Sequence, residues 1–488
     1  MTQSSAFDRR GFLRQTTAAG SALALSAVSY GRVSGSNERI NIAFLGCGGR
    51  GQAHIDIIQR LAREGQNLTI AGVCDVWNGL EEEYEQNIGG QKSRRKYLQG
   101  LIPTARKAGL DPKDRRRVTK DYRRLLDLPE VDTVCISTPD HWHARMVLDA
   151  VSAGKSVYCE RPLARTVSET VSILDTLAKA NVPVNVGLQT LSDPSWLKAR
   201  ELIQSGRLGH VAQAQTHFFR NDIRGYGRYY RLVEEMTPGT IDWPRFTGKE
   251  NMPFDRAKFA QWRCYEAFGS GPFVDLLQPQ IARMMLAMNV KMPRRVAGLG
   301  GLFLEHDGRE IPDLATLVVD FEEGCQLTAT ACSIGSYPNE EIIRGRFGAI
   351  RFTSRGLDLF AEDPRSSKNP NRLGDRPVAP TEAIAINKPG NETLAMWQHF
   401  LECVRTQSKE TLCPPDLAGT AGIVALMAAE SLKTGQMLAW DSENRKVSLA
   451  TEARAKTSTR KLTDLQPPEY MKLAGDWKNG IDPAKPIG

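Results

Sequence analysis

The segment Gly46-Cys47-Gly48-Gly49-Arg50-Gly51 sets glycines in a Gly-x-Gly-x-x-Gly spacing behind the apolar run Ile40-Asn41-Ile42-Ala43-Phe44-Leu45. The chemistry such a loop offers is the cradling of a pyrophosphate. Gly46 permits the tight turn, Gly48, with Gly49 beside it, lets the backbone approach phosphate oxygens, and Gly51 allows close helix–strand packing. The helix that follows presents free N–H groups and the positive end of its dipole. Asp75 ends the next apolar run, where a carboxylate can accept hydrogen bonds from ribose hydroxyls and would repel a 2′-phosphate. Together these residues predict NAD as cofactor in preference to NADP. Asp75 stands 29 residues after Gly46, more than the usual ~20, and a longer helix and loop around Glu64-Gly65-Gln66-Asn67 carry the excess.

Positioning these groups takes a particular order of elements. Strand-like runs at Thr69–Cys74, Val131–Ser137, Ser156–Cys159 and Val182–Val186 alternate with helical patterns. One helix shows Ala144, Val147, Leu148 and Val151 on a single face and stops at Gly154. Another opens on the capping box Thr166-Val167-Ser168-Glu169. Such alternation predicts an α/β fold with a doubly wound parallel sheet. Beyond about residue 190 the pattern changes. Leu314–Phe321 and Cys325–Cys332 flank a glycine turn, as do Glu341–Arg346 and Ile350–Thr353, which predicts a largely antiparallel sheet. Helices are expected near 392–407 and 416–434, and a loop over 364–378. The expected organisation is a signal over 1–36, a Rossmann domain over 37–188, an α+β domain over 189–440 and a tail over 441–488.

Composition narrows the function classes. The chain has 488 residues, 41% of them hydrophobic and 25% charged, the profile of a folded globular protein. Asp8-Arg9-Arg10-Gly11-Phe12-Leu13-Arg14, followed by an uncharged stretch to Arg32, reads as a twin-arginine export signal. It predicts an extracytoplasmic location, and no later segment is apolar for the roughly 18 residues of a membrane span. Removing residues 1–36 takes away four arginines and Asp8, lowering the net charge from +8 to +5. Thirteen Lys and Arg lie between Lys92 and Arg124, without the interleaved aromatics of a nucleic-acid surface. This run is read as a solvated helical insertion. The nine cysteines are scattered singly, with neither zinc spacing nor a disulfide framework, so no metal is expected.

Ser137-Thr138-Pro139-Asp140-His141-Trp142-His143 follows the third strand of the sheet, and Cys159-Glu160-Arg161-Pro162-Leu163 the fourth. With the glycine loop, with Gly206-Arg207-Leu208-Gly209-His210-Val211, Asp242-Trp243-Pro244 and Gly269-Ser270-Gly271-Pro272-Phe273-Val274-Asp275, they resemble the glucose–fructose oxidoreductase / inositol dehydrogenase / MocA (Gfo/Idh/MocA) family over roughly residues 38 to 440. The resemblance implies Thr138 and Pro139 beside the nicotinamide, His143 capping the next helix, and Glu160 and residue 161 where cofactor meets substrate. It implies a lysine at 161, an acid/base histidine four residues after Asp275, and assembly into homo-oligomers through the open sheet. Arg161 and Pro279 stand at those two positions instead. An arginine can still hold a hydroxyl or carboxylate but cannot act as a base, and proline has no titratable group.

Two residues are candidates to replace the missing base. Asp275 qualifies if an apolar wall raises its pKa. His217 qualifies if the face it shares with Gln213 and Gln215 lines the cleft. Tyr265 is read as a packing residue. The expected function is an NAD-dependent oxidoreductase acting on a sugar, cyclitol or polyol, with a tightly bound, recycled cofactor suited to an exported protein. The alternative is a cofactor-holding or carbohydrate-binding protein of the same fold with little turnover.

Overall fold

The computed structural model describes residues 39–88, 91–221, 225–362 and 379–450. The signal segment, the expected loop at 364–378 and the chain beyond residue 450 lie outside the described residues.

The first half builds β1 (Ile40–Leu45), α1 (Gly49–Arg63), β2 (Leu68–Cys74), β3 (Leu80–Ile88), β4 (Gln91–Gln99), α2 (Leu101–Lys107), β5 (Val118–Thr119), β6 (Thr133–Ile136), α3 (His143–Ser152), β7 (Ser156–Glu160), α4 (Val167–Lys179) and β8 (Val184–Gly187). Six strands make one sheet in the order β5-β2-β1-β6-β7-β8, parallel in its registered pairs. Strand order reverses beside β1, which puts the crevice at the carboxyl ends of β1 and β6. β1, β6 and β7 are buried on both faces, hence their largely apolar composition without polar alternation. The predicted capping box of α4 is present, with Thr166 accepting from the Glu169 amide.

The basic run departs from the expected helical insertion. Its first part, β4, pairs antiparallel with β3, and helix is confined to α2 and a single turn at Arg123–Leu126. The cause is charge complementarity across the strands: Lys96 meets Glu81 at 2.8 Å, Lys92 meets Glu85 at 3.6 Å and Arg94 meets Glu83 at 3.9 Å. Tyr97 turns inward to an aromatic cluster with Trp77, Trp243, Phe246, Trp262 and Phe268. Tyr84 and Tyr265 pack against that cluster, so Tyr265 has the expected packing role.

The second half contributes α5 (Ser195–Gln204), β9 (Val211–Asn221), α6 (Gly271–Asp275), α7 (Gln278–Met288), β10 (Pro293–Gly301), β11 (Leu314–Phe321), β12 (Gln326–Cys332), β13 (Ile334–Gly335), β14 (Ile342–Gly345), β15 (Gly348–Thr353), β16 (Gly356–Ala361), β17 (Glu382–Ala385), α8 (Glu392–Thr406), α9 (Pro415–Thr434), β18 (Leu438–Asp441) and β19 (Lys446–Leu449). Its strands run β17-β16-β15-β14-β9-β12-β11-β10-β18-β19, with β13 on β9, and every registered pair is antiparallel except β9 with β12. Both predicted hairpins are present. One face of this sheet is covered by α7 and α9, so closely that a Cβ on Gly298 would lie 2.1 Å from the Ala428 carbonyl oxygen. All nine cysteines are buried free thiols. Burial pushes those of Cys47, Cys74, Cys135 and Cys159 well above the usual thiol range.

Candidate active site

A cavity of about 740 Å³ joins the glycine loop to the residues after β6 and β7 and to α6 and α7. At one end Gly46 holds φ +92°, and a Cβ there would sit 2.6 Å from the Ser137 carbonyl oxygen. A Cβ on Gly51 would fall 2.2 Å from the Gly46 carbonyl oxygen, so glycine is what lets α1 pack onto the turn. A Cβ on Gly48 would meet nothing within 4 Å, because that position opens onto the cavity. α1 begins at Gly49 with no side-chain cap and no acidic residue in its first turn. Its first amides are therefore left for an anion, and the loop fits a pyrophosphate.

Asp75 ties this loop to the turn after β2. Oδ2 accepts the Cys47 N–H at 2.7 Å and Oδ1 the Trp77 N–H at 2.8 Å, and each oxygen keeps a lone pair for a hydroxyl. Burial pushes its carboxyl above the usual range, against the pull of those two amides and Lys120. Thr138 and Pro139 line the cavity past the glycine loop. His143 lines it too, but the helix cap implied by the resemblance is not its role: it is the first residue of α3, and the cap position is Trp142. Its ring nitrogens sit 2.6 Å from the Pro162 carbonyl and 2.8 Å from that of Thr138, strapping together the turns after β7 and β6.

Glu160, at the end of β7, is the hub of a buried network. Its Oε1 receives Arg50 Nε at 2.8 Å, His54 Nε2 at 2.8 Å and Gln189 Nε2 at 2.7 Å. The Trp397 indole donates to His54 Nδ1 at 2.8 Å, so His54 is the Nε2–H tautomer. Burial alone would push the Glu160 carboxyl up, but Arg50 and His54 outweigh it and hold the group far below the usual range. Burial lowers the His54 pKa. Neither Arg50 nor His54 was singled out from the sequence for this role.

At the other end Arg161 Nη1 reaches Asp275 Oδ1 at 2.6 Å and also the Asp275 carbonyl oxygen. The Tyr226 hydroxyl donates to Asp275 Oδ2 at 2.9 Å, and Arg263 Nε lies 3.4 Å from the same oxygen. The sequence thus rightly brings Arg161 and Asp275 together, yet the condition set for Asp275 as a base fails. Burial would raise its pKa, but Arg161 and Arg263 outweigh that and lower it, so it is a clamped anion and a weak base. Pro279 sits in the first turn of α7 and forms part of the wall.

His217 is not brought to this cavity. Along β9 it is Phe218 and Arg220 that line it, so the period-2 alternation turns His217, Gln213 and Gln215 to the opposite side. Besides Arg50, the chamber holds Arg220, Tyr229, Tyr230 and Arg263, which the sequence reading did not select. Arg263 lies over the Trp262 ring at 4.0 Å, and Arg220 over Tyr229 at 5.0 Å. The one signal for Tyr229, Tyr230 and Arg263 was the density of arginine and aromatic residues in non-periodic stretches at 226–231 and 262–265. Among the described residues no cluster of His, Cys, Asp and Glu could hold a metal ion.

This geometry agrees with comparisons to known proteins. Residues 40–188 match the oxidoreductase family with an NAD-binding Rossmann fold. A levoglucosan dehydrogenase of Pseudarthrobacter phenanthrenivorans is 34% identical over 19% of this chain and 24% of its own length. Inositol 2-dehydrogenase 2 of Saccharopolyspora erythraea is 30% identical over 29% and 47%, respectively. An alpha-N-acetylgalactosaminidase of Shewanella oneidensis is 30% identical over 30% and 28%. The chain therefore spans less than half the length of these curated relatives. In fold the likeness is wider. Aldose-aldose oxidoreductase from Caulobacter crescentus, complexed with glycerol, superposes with a TM-score of 0.56 at 19% identity, over 82% of this chain and 99% of that one. Levoglucosan dehydrogenase in complex with NADH and levoglucosan gives 0.57 at 16% identity, over 82% and 99%. Residues 40–188, with their glycine loop, Asp75 and parallel sheet, thus match the Gfo/Idh/MocA oxidoreductase family and have its NAD-binding Rossmann fold.

Proposed function

We propose that this protein is an NAD-dependent oxidoreductase acting on a sugar, cyclitol or polyol, exported by the twin-arginine route with its cofactor bound. The observation that carries the reading is continuity: one cavity runs from the glycine loop and Asp75, past Thr138 and Pro139, to a chamber walled by arginines and aromatic rings. NAD, when bound, exchanges a hydride with a carbinol carbon, and one proton is released for each carbonyl formed. Gly46 to Gly51 and the start of α1 would hold its phosphates, and Asp75 its ribose hydroxyls, with preference over NADP. Arg161, steadied by Asp275, and Gln189, steadied by Glu160, would orient substrate oxygens. Tyr230 and Gln99 come within 3.4 and 3.6 Å of where a Cβ on Gly49 would lie, covering the loop from outside the sheet. That cover supports a resident, recycled cofactor. A second copy docked on the uncovered sheet face, where Leu299 is 74% exposed, would give the homo-oligomer.

The test is chemical. The purified protein is denatured and its supernatant assayed for NAD(H), beside the Asp75→Ala variant. Near-stoichiometric NAD(H), reduced at least about tenfold by Asp75→Ala, is the expected result; a wild type that neither releases nor binds NAD overturns the reading. A binding protein with little turnover is a second reading, favoured by the clamped state of Asp275 and by Pro279. It would release NAD(H) equally but show no substrate-dependent change of nicotinamide absorbance.

A further inference from the structure

We propose that the substrate end of this cavity recognises a sugar or polyol that carries a carboxylate, such as an aldonate or uronate, gripped by the guanidinium groups of Arg161 and Arg263. The inference deepens the oxidoreductase reading and rests on it for the reaction, though not for the binding.

Hydrogen-bonding capacity decides the matter. Asp275 is buried, and both its oxygens are engaged, Oδ1 by Arg161 and Oδ2 by Tyr226 and Arg263. One carboxylate is thus shared between two guanidiniums, each with five N–H donors. Asp275 takes Nη1 of Arg161 and Nε of Arg263, and the Tyr230 hydroxyl lies at 3.5 Å from Nη1 of Arg263. Both side chains keep some exposure, 25% for Arg161 and 19% for Arg263, and both line the cavity. Besides Asp75 and Asp121 near the end of β2, three other acids line the cavity, Glu160, Asp140 and Glu392, and burial pushes the Glu392 carboxyl above the usual range. Glu160 is bound to Arg50 and His54, and Asp140 accepts the Ser270 N–H at 3.0 Å while burial pushes its carboxyl up toward the neutral form.

The wall therefore offers guanidinium donors in excess of ionised acceptors. Each hydroxyl of a neutral polyol can accept from this wall but also brings an O–H donor that needs an acceptor, and the wall has few to offer. A carboxylate accepts only, and an arginine fork meets it with two parallel hydrogen bonds. Withdrawn from bulk water beside Trp262 and Tyr229, the attraction is weakly screened.

The experiment uses the full protein with its NAD. Titration calorimetry compares D-gluconate with D-glucitol and D-glucuronate with D-glucose, with acetate as a simple anion, and nucleotide content is measured on the same sample. The expected result is at least about tenfold tighter binding of each sugar acid than of its neutral partner. Arg161→Gln should remove most of that ratio and Arg161→Lys only part of it. Equal or tighter binding of the neutral compounds, or no binding of any sugar, overturns the proposal. So does acetate binding as tightly as gluconate, which would mark an anion site that does not read the polyol. A protein that holds NAD in any of these cases leaves the oxidoreductase reading standing; one that holds none sinks that reading separately.

Discussion

Glu160 shows how much one residue can hold. Its carboxylate anchors Arg50 and His54 of α1 and Gln189 beyond β8, and through His54 it reaches Trp397, 343 residues along the chain from that histidine. Because its folded pKa is depressed, the ionised group stabilises the fold fully above the ordinary glutamate pKa of ~4.3, and that contribution is lost as pH falls toward the lower folded value. Glu160→Gln should therefore cost about 3–5 kcal/mol at pH 7, the range for breaking a buried ion pair. The gap should narrow below about pH 4 in urea unfolding. A gap that stays constant down to pH 3 would show that the charge is not the source of the stability. At this scale the glycine loop and Asp75 were legible because their chemistry lies within one strand–turn–helix unit. Arg50, His54 and Arg263 were not, since their partners come from distant parts of the chain and no local spacing marks them.

Elements were legible where burial writes a period. The buried strands β1, β6 and β7, the hairpin of β11 with β12, and helices α8 and α9 lie close to where apolar patterning puts them. The β3–β4 hairpin escaped because its specification is electrostatic: glutamates on one strand face lysines and arginine on the other, and neither strand carries an apolar stripe. His217 illustrates a different limit. Alternation correctly grouped it with Gln213 and Gln215, but nothing in a strand's own sequence says which of its two faces meets the cleft. The hairpin hangs on Tyr97, which is 6% exposed in the aromatic cluster beside the glycine loop. Tyr97→Ala should destabilise the protein by about 3–5 kcal/mol, as large-to-small aromatic changes in a core do. It should also speed NAD release, because Gln99, two residues on, covers Gly49. Stopped-flow displacement of NADH measures this, and an unchanged rate would exclude the hairpin as a cover.

Across the whole molecule, the parallel sheet followed by a mostly antiparallel one was legible from the change of pattern near residue 190, and the family resemblance supplied what periodicity lacked. The nine buried thiols have a consequence for the life history of the chain. Folded, all nine are shielded, and burial pushes thiols such as Cys47, Cys74, Cys135 and Cys159 well above the usual range, which keeps them out of thiol–disulfide exchange. Unfolded, all nine are reactive at once, with no native pairing to guide them. Such a chain is safe in an oxidising compartment only if it arrives already folded, which is the order of events a twin-arginine signal would impose. Refolding from denaturant should accordingly recover native protein with a reductant present and fail in an oxidised glutathione buffer, while the native protein tolerates that same buffer for hours. Equal recovery in both buffers would remove this constraint. Under the proposed export route, the burial of these sulfur atoms would require folding to precede transport.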